Sequence, residues 1–255
     1  SALNGVDRDF YNSDLRAQGG ADYRVTGLCF PGNVQIASGG VTSNYAIPAG
    51  GATSANLVAG AAPRCDNIKT TDILPEQETN SVSLTFDQDI TDWIHFYADA
   101  LWARRDGFRK SAVVTQSLVV PATNAFFVAP AGVTPPLCAA TLAGVPAGTR
   151  CETVQYSFAG VYGPFSTTNI RSEVWQLTGG FDIKLSPKWN VDAYFTYGRN
   201  KDHAFSVGNA VDAANLAAAL RSSDPASAFN PFGTTGGNSA GVIAGIFDNL
   251  TDTDG

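Results

Sequence analysis

One short stretch of this sequence matches a motif for nucleophilic catalysis. Residues 237–241 read Gly-Asn-Ser-Ala-Gly, the G-x-S-x-G pattern in which a strand delivers the serine into a sharp turn before a helix. The preceding residues 230–236 do not have the pattern of a strand. In that class of hydrolase the base histidine follows the serine, whereas His95 and His203 both precede it. We therefore interpret the motif as part of a loop.

No other stretch predicts catalysis, and we expect no catalytic residue, no cofactor and no metal site. The chain has two histidines, no Cys-x-x-Cys pair, no phosphate loop and no dinucleotide fingerprint. The acidic residues Asp248 and 252–254 lack the spacing of an EF-hand. A net charge of −7 argues against a nucleic-acid partner. The sequence thus predicts that the protein is not an enzyme.

The four cysteines fall into two local pairs. Cys29 and Cys65 bracket one stretch rich in glycine and proline, and Cys138 and Cys151 bracket another. Four cysteines allow three connectivities, and we favour pairing within each local pair. Paired cysteines in loops are typical of an oxidising compartment.

The composition is typical of a β-rich protein with long surface loops. Only 15% of the residues are charged, against about 25% in ordinary soluble domains, and 26 residues are glycine. The chain contains no Met, no signal peptide and no apolar run long enough for a transmembrane helix. We expect an internal fragment of a longer precursor; a mature secreted protein is the alternative.

The elements that position the side chains are strands with one apolar and one polar face. In residues 78–106 and 170–205, apolar and polar residues alternate, as in strands whose successive side chains take opposite faces. The apolar, lipid-facing set comprises Phe86, Ile94, Phe96, Trp102, Phe181, Ile183, Val191 and Phe195. The polar, lumen-facing set comprises His95, Tyr97, Asp99, Arg105, Asp182, Lys184, Asp192 and Tyr194. As the simplest role for the charged members, we expect cross-strand ion pairs.

Tight turns join these strands into two predicted hairpins. Residues 78–88 should pair antiparallel with 93–105, and 174–185 with 189–200, with turns near Ile90 and Pro187. The flanking regions 1–77, 107–169 and 206–255 are predicted to be long loops, the last with a short helix over 211–223. Short turns at one end and long loops at the other are typical of outer-membrane β-barrels.

A soluble β-sandwich is the alternative fold, since its apolar strand faces would form the core. Two features favour the barrel. The predicted strands reach a dozen residues, above the roughly 5–6 usual in soluble proteins. Trp93, Trp102 and Trp189 also lie near strand ends, where a barrel carries its aromatic girdles.

Over most of its length the sequence resembles the barrel region of TonB-dependent outer-membrane receptors. The stretches that carry the resemblance are 7–11 (Asp-Arg-Asp-Phe-Tyr), 14–16 with 19–24, 74–78 before a strand, 97–99 followed by Arg104-Arg105, and Asp224-Pro225 leading to 229–233. One departure is Ala125, where a loop motif of this family usually has proline in Asn-Pro-Phe. The plug domain and the TonB box of the family are not found in these 255 residues.

The resemblance implies an all-β fold: an antiparallel segment of a large transmembrane β-barrel with long extracellular loops and short periplasmic turns. We expect about four to six of the roughly 22 strands of such barrels. The resemblance also implies import of a scarce solute, such as a siderophore, vitamin or carbohydrate, across the outer membrane of a Gram-negative cell. The expected partners are outer-membrane lipid, an unidentified small-molecule ligand and, through other parts of the parent protein, the inner-membrane TonB complex. The alternative function is a secreted, disulfide-stabilised β-rich binding or adhesion domain.

Overall fold

The computed structural model describes residues 14–60, 62–72, 74–208, 210–233 and 237–247, and the backbone of 251–254. The chain is predominantly β, and its sheets are antiparallel. In these ranges, no helix combines the length and the apolar character needed to cross a membrane. The resembling stretch 7–11 and the acidic Asp248 lie outside the described residues.

The chain folds into two compact units, each assembled from separate segments. The first, which we call the disulfide unit, comprises residues 1–73, 110–167 and 207–250. The second, the hairpin unit, comprises residues 74–109, 168–206 and 251–255. The strands in chain order are β1 Val25–Thr26, β2 Asn33–Ser38, β3 Val41–Ala46, β4 Val58–Gly60, β5 Arg64–Cys65, β6 Glu76–Thr91, β7 Ile94–Ser111, β8 Thr115–Pro121, β9 Cys151–Ser157, β10 Ser166–Ser186, β11 Trp189–Val207 and β12 Thr251–Asp254.

Two long hairpins make up most of the hairpin unit. The strands β6 and β7 are joined by the turn Asp92-Trp93 and pair antiparallel from Glu76 opposite Phe108 to Thr91 opposite Ile94. Strands β10 and β11 are joined at Pro187-Lys188, and the sheet order is β12-β11-β10-β7-β6. Both hairpins predicted from the alternation are present. Their strands extend beyond the predicted bounds, by up to eight residues at the start of β10, and the turn predicted near Ile90 lies at Asp92-Trp93, since Ile90 still belongs to β6.

The register of the first hairpin keeps the apolar residues on one face. Directly opposite residues share a face in an antiparallel pair. Val82 lies opposite Trp102, and Phe86 lies opposite Ala98. A slip of one residue would move every apolar side chain to the other face, so the alternating sequence itself specifies this register.

The disulfide unit has its own hydrophobic core. Its main sheet has the order β4-β3-β2-β9-β8, and β1 pairs separately with β5. The fully buried core side chains, from this sheet and from the segments packed on it, include Val34, Val120, Val154, Tyr156, Phe158, Phe229 and Ile246. The segments expected from sequence to be loops therefore contribute short strands and core residues. The glycine and proline signals that suggested loops mark the turns between these short strands.

Three short α-helices occur among the described residues, α1 Ala159–Tyr162, α2 Ala213–Arg221 and α3 Ala240–Ile246, together with a 3-10 helix at Arg16–Gln18. The helix predicted over 211–223 is confirmed as α2, which begins after Asp212. The Asp212 carboxylate accepts a hydrogen bond from the backbone N–H of Asn215 at 2.8 Å, a normal N-cap. Helix α3 was not predicted from the sequence, where residues 233–245 have the composition of a loop.

Both disulfides join the cysteines favoured from the sequence, Cys29 with Cys65 and Cys138 with Cys151. The first bridge ties β5 to the chain just before β2. The second ties the start of β9 to a loop 13 residues earlier. All four cysteines lie in the disulfide unit, where the bridges reduce the freedom of its unfolded loops.

Candidate functional site

The apolar residues of the hairpin unit form one continuous surface on the sheet. We call it the apolar face. Ring contacts across neighbouring strands connect its centre: Phe86 lies 5.9 Å from Phe96, and Phe96 lies 5.0 Å from Phe181. The remaining predicted members of this set follow by alternation: Ile94 and Trp102 on β7, Ile183 on β10, and Val191 and Phe195 on β11. The structure therefore brings the predicted apolar set together on one face.

This face is open to solvent in the structure. Phe195 keeps 70% of its surface exposed, and Leu84 keeps 67%. Other large side chains that are exposed on this face are Val82, Phe86, Trp175, Leu177, Phe181, Val191 and Tyr197. Soluble monomers rarely leave an apolar patch of this extent uncovered, so such a face marks a surface that meets another apolar phase or partner.

All four tryptophans of the chain lie at the two borders of the apolar face. Trp93 and Trp189 are at the tight turns, and Trp102 and Trp175 are at the opposite border. From Ile94 to Trp102 the face spans nine residues of β7. A tilted transmembrane strand needs about 9–11 residues, and aromatic girdles flank the apolar band of outer-membrane barrels on both sides.

A single carboxylate organises the border that is farther from the turns. Glu173 accepts hydrogen bonds from the indole N–H of Trp102 at 3.0 Å and of Trp175 at 2.9 Å. Glu173 was not predicted from the sequence, because an acidic residue in an apolar row interrupts the alternation of apolar and polar residues. Its position two residues before Trp175, on the same face, was the available signal.

Beyond the tryptophans the same face becomes charged. Asp106 accepts from the guanidinium groups of Arg104 and Arg171, each at 2.7 Å. These groups are partly exposed, so the pairs add little stability by themselves. Their effect is to end the apolar face abruptly in a charged row.

The opposite face of the sheet carries polar side chains that bond across strands. His95 lies between Asp89 and Asp87, with ring nitrogen to carboxylate oxygen distances of 2.9 Å and 3.1 Å. Thr178 and Thr196 are joined through their hydroxyls at 3.1 Å. A polar face behind an apolar one completes the two-sided character predicted from the sequence.

Tyr97 makes the longest connection on the polar face. Its hydroxyl donates to Asp192 at 2.9 Å, and so links β7 to β11 across the intervening strand β10. Gly180 on β10 makes this possible, since a Cβ atom there would lie 2.6 Å from the Tyr97 ring. The structure brings together the predicted residues Tyr97 and Asp192, and Gly180 is a further positioning residue that sequence reasoning missed.

The cross-strand ion pairs expected among the predicted charged residues are not observed in the described part of the chain. No salt bridge there joins Asp99, Arg105, Asp182, Lys184 or Asp192 to another member of the set. Tyr194 on this face keeps 68% of its surface exposed. Because this polar face is open, water can solvate its charged side chains, and ion pairs between them would add little stability.

The serine of the G-x-S-x-G stretch has a structural role. Ser239 caps helix α3: its hydroxyl accepts from the backbone N–H of Val242 at 3.3 Å and donates to the carbonyl of Ala226 at 3.3 Å. Residues 234–236 of the preceding segment lie outside the described residues. The hydroxyl is therefore engaged as an N-cap, and residues 240–241 of the motif, which was predicted to be part of a loop, are the first residues of α3.

The disulfide unit contains one buried carboxyl without a partner. Glu152 on β9 is 2% exposed, and neither carboxylate oxygen has a hydrogen-bond partner among the described residues. Burial raises the pKa of Glu152 to about 8. On the surface of the same unit, the Arg24 guanidinium lowers the pKa of Asp22 to about 2. The Asp22 pair is thus charged under all ordinary conditions, while Glu152 is mostly protonated near neutral pH.

No protein-family model matches the chain, and no curated protein matches it. Among the described residues, no three His, Cys, Asp or Glu side chains cluster as a metal ion requires. The features that bear on function are therefore the two-sided sheet and the sequence resemblance.

Proposed function

We propose that this chain forms part of the barrel of an outer-membrane receptor that imports a scarce solute into a Gram-negative cell. In this proposal the apolar face of the hairpin unit contacts lipid, and the polar face lines the lumen. The disulfide unit belongs to the extracellular part. The tight turns at Asp92-Trp93 and Pro187-Lys188 face the periplasm.

The observation that carries the proposal is the apolar face with tryptophans at both borders. Its nine residues along β7 are within the range of about 9–11 that a tilted transmembrane strand needs. Full burial of a large apolar side chain contributes roughly 1.5–3 kcal/mol, and in water the side chains on this face, which are 40–70% exposed, forgo a corresponding part of it. Lipid removes that penalty without a second protein layer.

The open edge of the sheet also supports a larger barrel. Within the described residues β6 pairs only with β7, so that its outer edge of 16 residues has no strand partner. Long unpaired edges promote aggregation, and a barrel removes them by closure. Further strands of the parent protein would complete the sheet in this proposal.

The chain connections support the assignment of the two sides. Each hairpin turns within two residues, whereas the connection from β7 to β10 passes through residues 112–165 of the disulfide unit. Disulfides form in oxidising compartments, as is expected of an external segment. Energised import, the TonB partner and the solute class depend on the resemblance alone.

Epitope insertion in cells that produce the full-length protein tests the proposed topology. One tag goes between Gly39 and Gly40, an exposed turn of the disulfide unit where an added side chain meets no atom within 4 Å. The matched tag goes between Pro187 and Lys188. We expect antibody to bind the first tag on intact cells and the second only after the outer membrane is permeabilised. Equal access to both tags on intact cells would contradict the proposal.

A secreted β-rich binding domain is the second candidate. The buried core and the two disulfides of the disulfide unit favour it, because these are the usual means by which small secreted domains achieve stability. The same cells distinguish the two candidates. Recovery of the protein from the culture medium as a soluble monomer would favour the secreted domain, whereas recovery from the outer-membrane fraction would favour the receptor.

A further inference from the structure

A groove of about 670 Å³ crosses the apolar face next to the Trp102–Trp175 border. Its lining includes Val82, Leu84 and Leu177, together with the two tryptophans. The small side chain of Ala100 on β7 also lines the groove. Its larger neighbours are Val82 and Leu84 on β6 and Trp102 on β7. The groove exists because the small side chain of Ala100 is surrounded by larger side chains.

Two cations lie at the polar end of the groove. Arg199 lines the groove beside Tyr197, and Lys201 lies two residues further along the same face of β11. In the described part of the chain neither side chain forms a salt bridge. Asp106 holds two arginines, and Glu173 accepts from two indoles while its carboxylate also attracts Arg199 electrostatically.

We propose that this groove binds a lipid with an anionic phosphate headgroup. One acyl chain lies along the groove, and the phosphate contacts Arg199 and Lys201. An arginine guanidinium matches phosphate geometry with two parallel hydrogen bonds, and a lysine adds a point charge. The inference depends on the proposed function, because it assumes that the apolar face meets lipid; it adds a preference for one lipid class at one place.

Quenching of tryptophan emission by brominated lipids tests this preference. The Trp93→Phe/Trp189→Phe variant of the full-length protein leaves only the two tryptophans that border the groove as emitters within this segment. It is folded into vesicles that contain equal parts of phosphatidylglycerol and phosphatidylcholine, with bromine on the acyl chains of one lipid or of the other. We expect the anionic lipid to be enriched at the groove by about fivefold, the factor that one cation near a membrane surface contributes.

Two pairs of variants separate the groove from general charge effects. Arg199→Gln/Lys201→Gln should bring the quenching ratio to about one, whereas Arg105→Gln/Lys184→Gln, with the same charge change on the polar face, should leave it unaltered. Ala100→Phe fills the groove and should also abolish the preference. Ala103→Phe, on the opposite face of the same strand, should not.

The outcomes distinguish this inference from the proposed function. Equal quenching by the two brominated lipids, or a preference that survives Arg199→Gln/Lys201→Gln, would overturn the lipid site and leave the barrel intact. An absence of quenching by either lipid would overturn both. If the Trp93→Phe/Trp189→Phe variant does not fold, the same comparison with all four tryptophans retained should give a smaller difference of the same sign; equal quenching there would also overturn the lipid site.

Discussion

Trp102 and Trp175 lie side by side on neighbouring strands, with ring centroids 6.1 Å apart and both indole N–H groups directed at Glu173. The arrangement fixes both rings at one level of the sheet. On one side of this level the face is apolar, and on the other side it carries Arg104, Asp106 and Arg171. A shared acceptor is therefore what defines the border of the apolar face.

Removing this acceptor should destabilise the sheet measurably. Glu173→Ala leaves two indole N–H groups without their charged partner, and we expect a loss of about 1–3 kcal/mol in the free energy of unfolding. Glu173→Gln keeps an acceptor oxygen and should recover most of the loss. Urea unfolding of the protein in vesicles measures both. Glu76→Ala is the control, since it removes the same charge from β6, and an equal loss there would argue against a specific role for Glu173.

An arginine on the apolar face should be far more harmful than one on the polar face. Phe96→Arg or Phe195→Arg places a charge within the proposed lipid contact, with an expected cost of roughly 2–4 kcal/mol near the bilayer midplane. Thr85→Arg and Thr196→Arg on the opposite face are the matched controls and should cost much less. The measurement is the folded fraction in vesicles across a urea series. Similar costs for the two sets would show that the assignment of the faces is wrong.

The buried carboxyl of Glu152 should make the stability of the disulfide unit depend on pH. Its pKa is about 8 in the folded state, against an ordinary value of 4.5. Between these values the unfolded chain releases the proton that the folded chain retains, so that stability falls as the pH rises from about 4.5 to about 8 and then levels off. The total fall is at most roughly 5 kcal/mol.

Glu152→Gln should remove this dependence and stabilise the unit at pH 8 more than at pH 5. Pulse-labelling hydrogen exchange of peptides from 115–121 and 151–157, recorded across a urea series at each pH, reports the unit directly. Glu76→Gln, at an exposed position in the hairpin unit, should leave the profile unchanged. A parallel pH profile for the wild type and Glu152→Gln would mean that Glu152 ionises normally.

Both disulfides should contribute to stability, the longer loop slightly more. In the chain-entropy model a bridge across 36 residues contributes about 4 kcal/mol and one across 13 residues about 3 kcal/mol. Each bridge is removed by a pair of substitutions, Cys29→Ser/Cys65→Ser or Cys138→Ser/Cys151→Ser. Both variants should lower the urea midpoint of the same hydrogen-exchange peptides, and the first variant should lower it more. Midpoints unchanged from the wild type in either variant would show that the core alone holds the unit.

The hairpin unit was predictable from the sequence because its information is local. Alternation with a period of two fixes which side chains share a face, and a short turn fixes which strands are neighbours. The helix α2 was predictable for the same reason, since Leu216 and Leu220 recur at helical spacing within one short segment.

The sheet of the disulfide unit was not predictable, because its pairings join distant parts of the chain. Asn33 on β2 lies opposite Gln155 on β9 and donates to its side chain at 3.0 Å, across 122 residues of sequence. Its strands have only two to seven residues, too few for a reliable alternating pattern. The roles of Glu173 and Gly180 depend likewise on side chains from neighbouring strands.

The depth of the four tryptophans in a bilayer shows whether the apolar face contacts lipid. All four lie at the borders of that face, so the emission of this segment reports the hairpin unit alone. Vesicles are prepared with bromine near the headgroup or near the end of the acyl chain. We expect emission at shorter wavelength than in water, with stronger quenching by the shallow bromine than by the deep one. Water-like emission that neither brominated lipid quenches would contradict it.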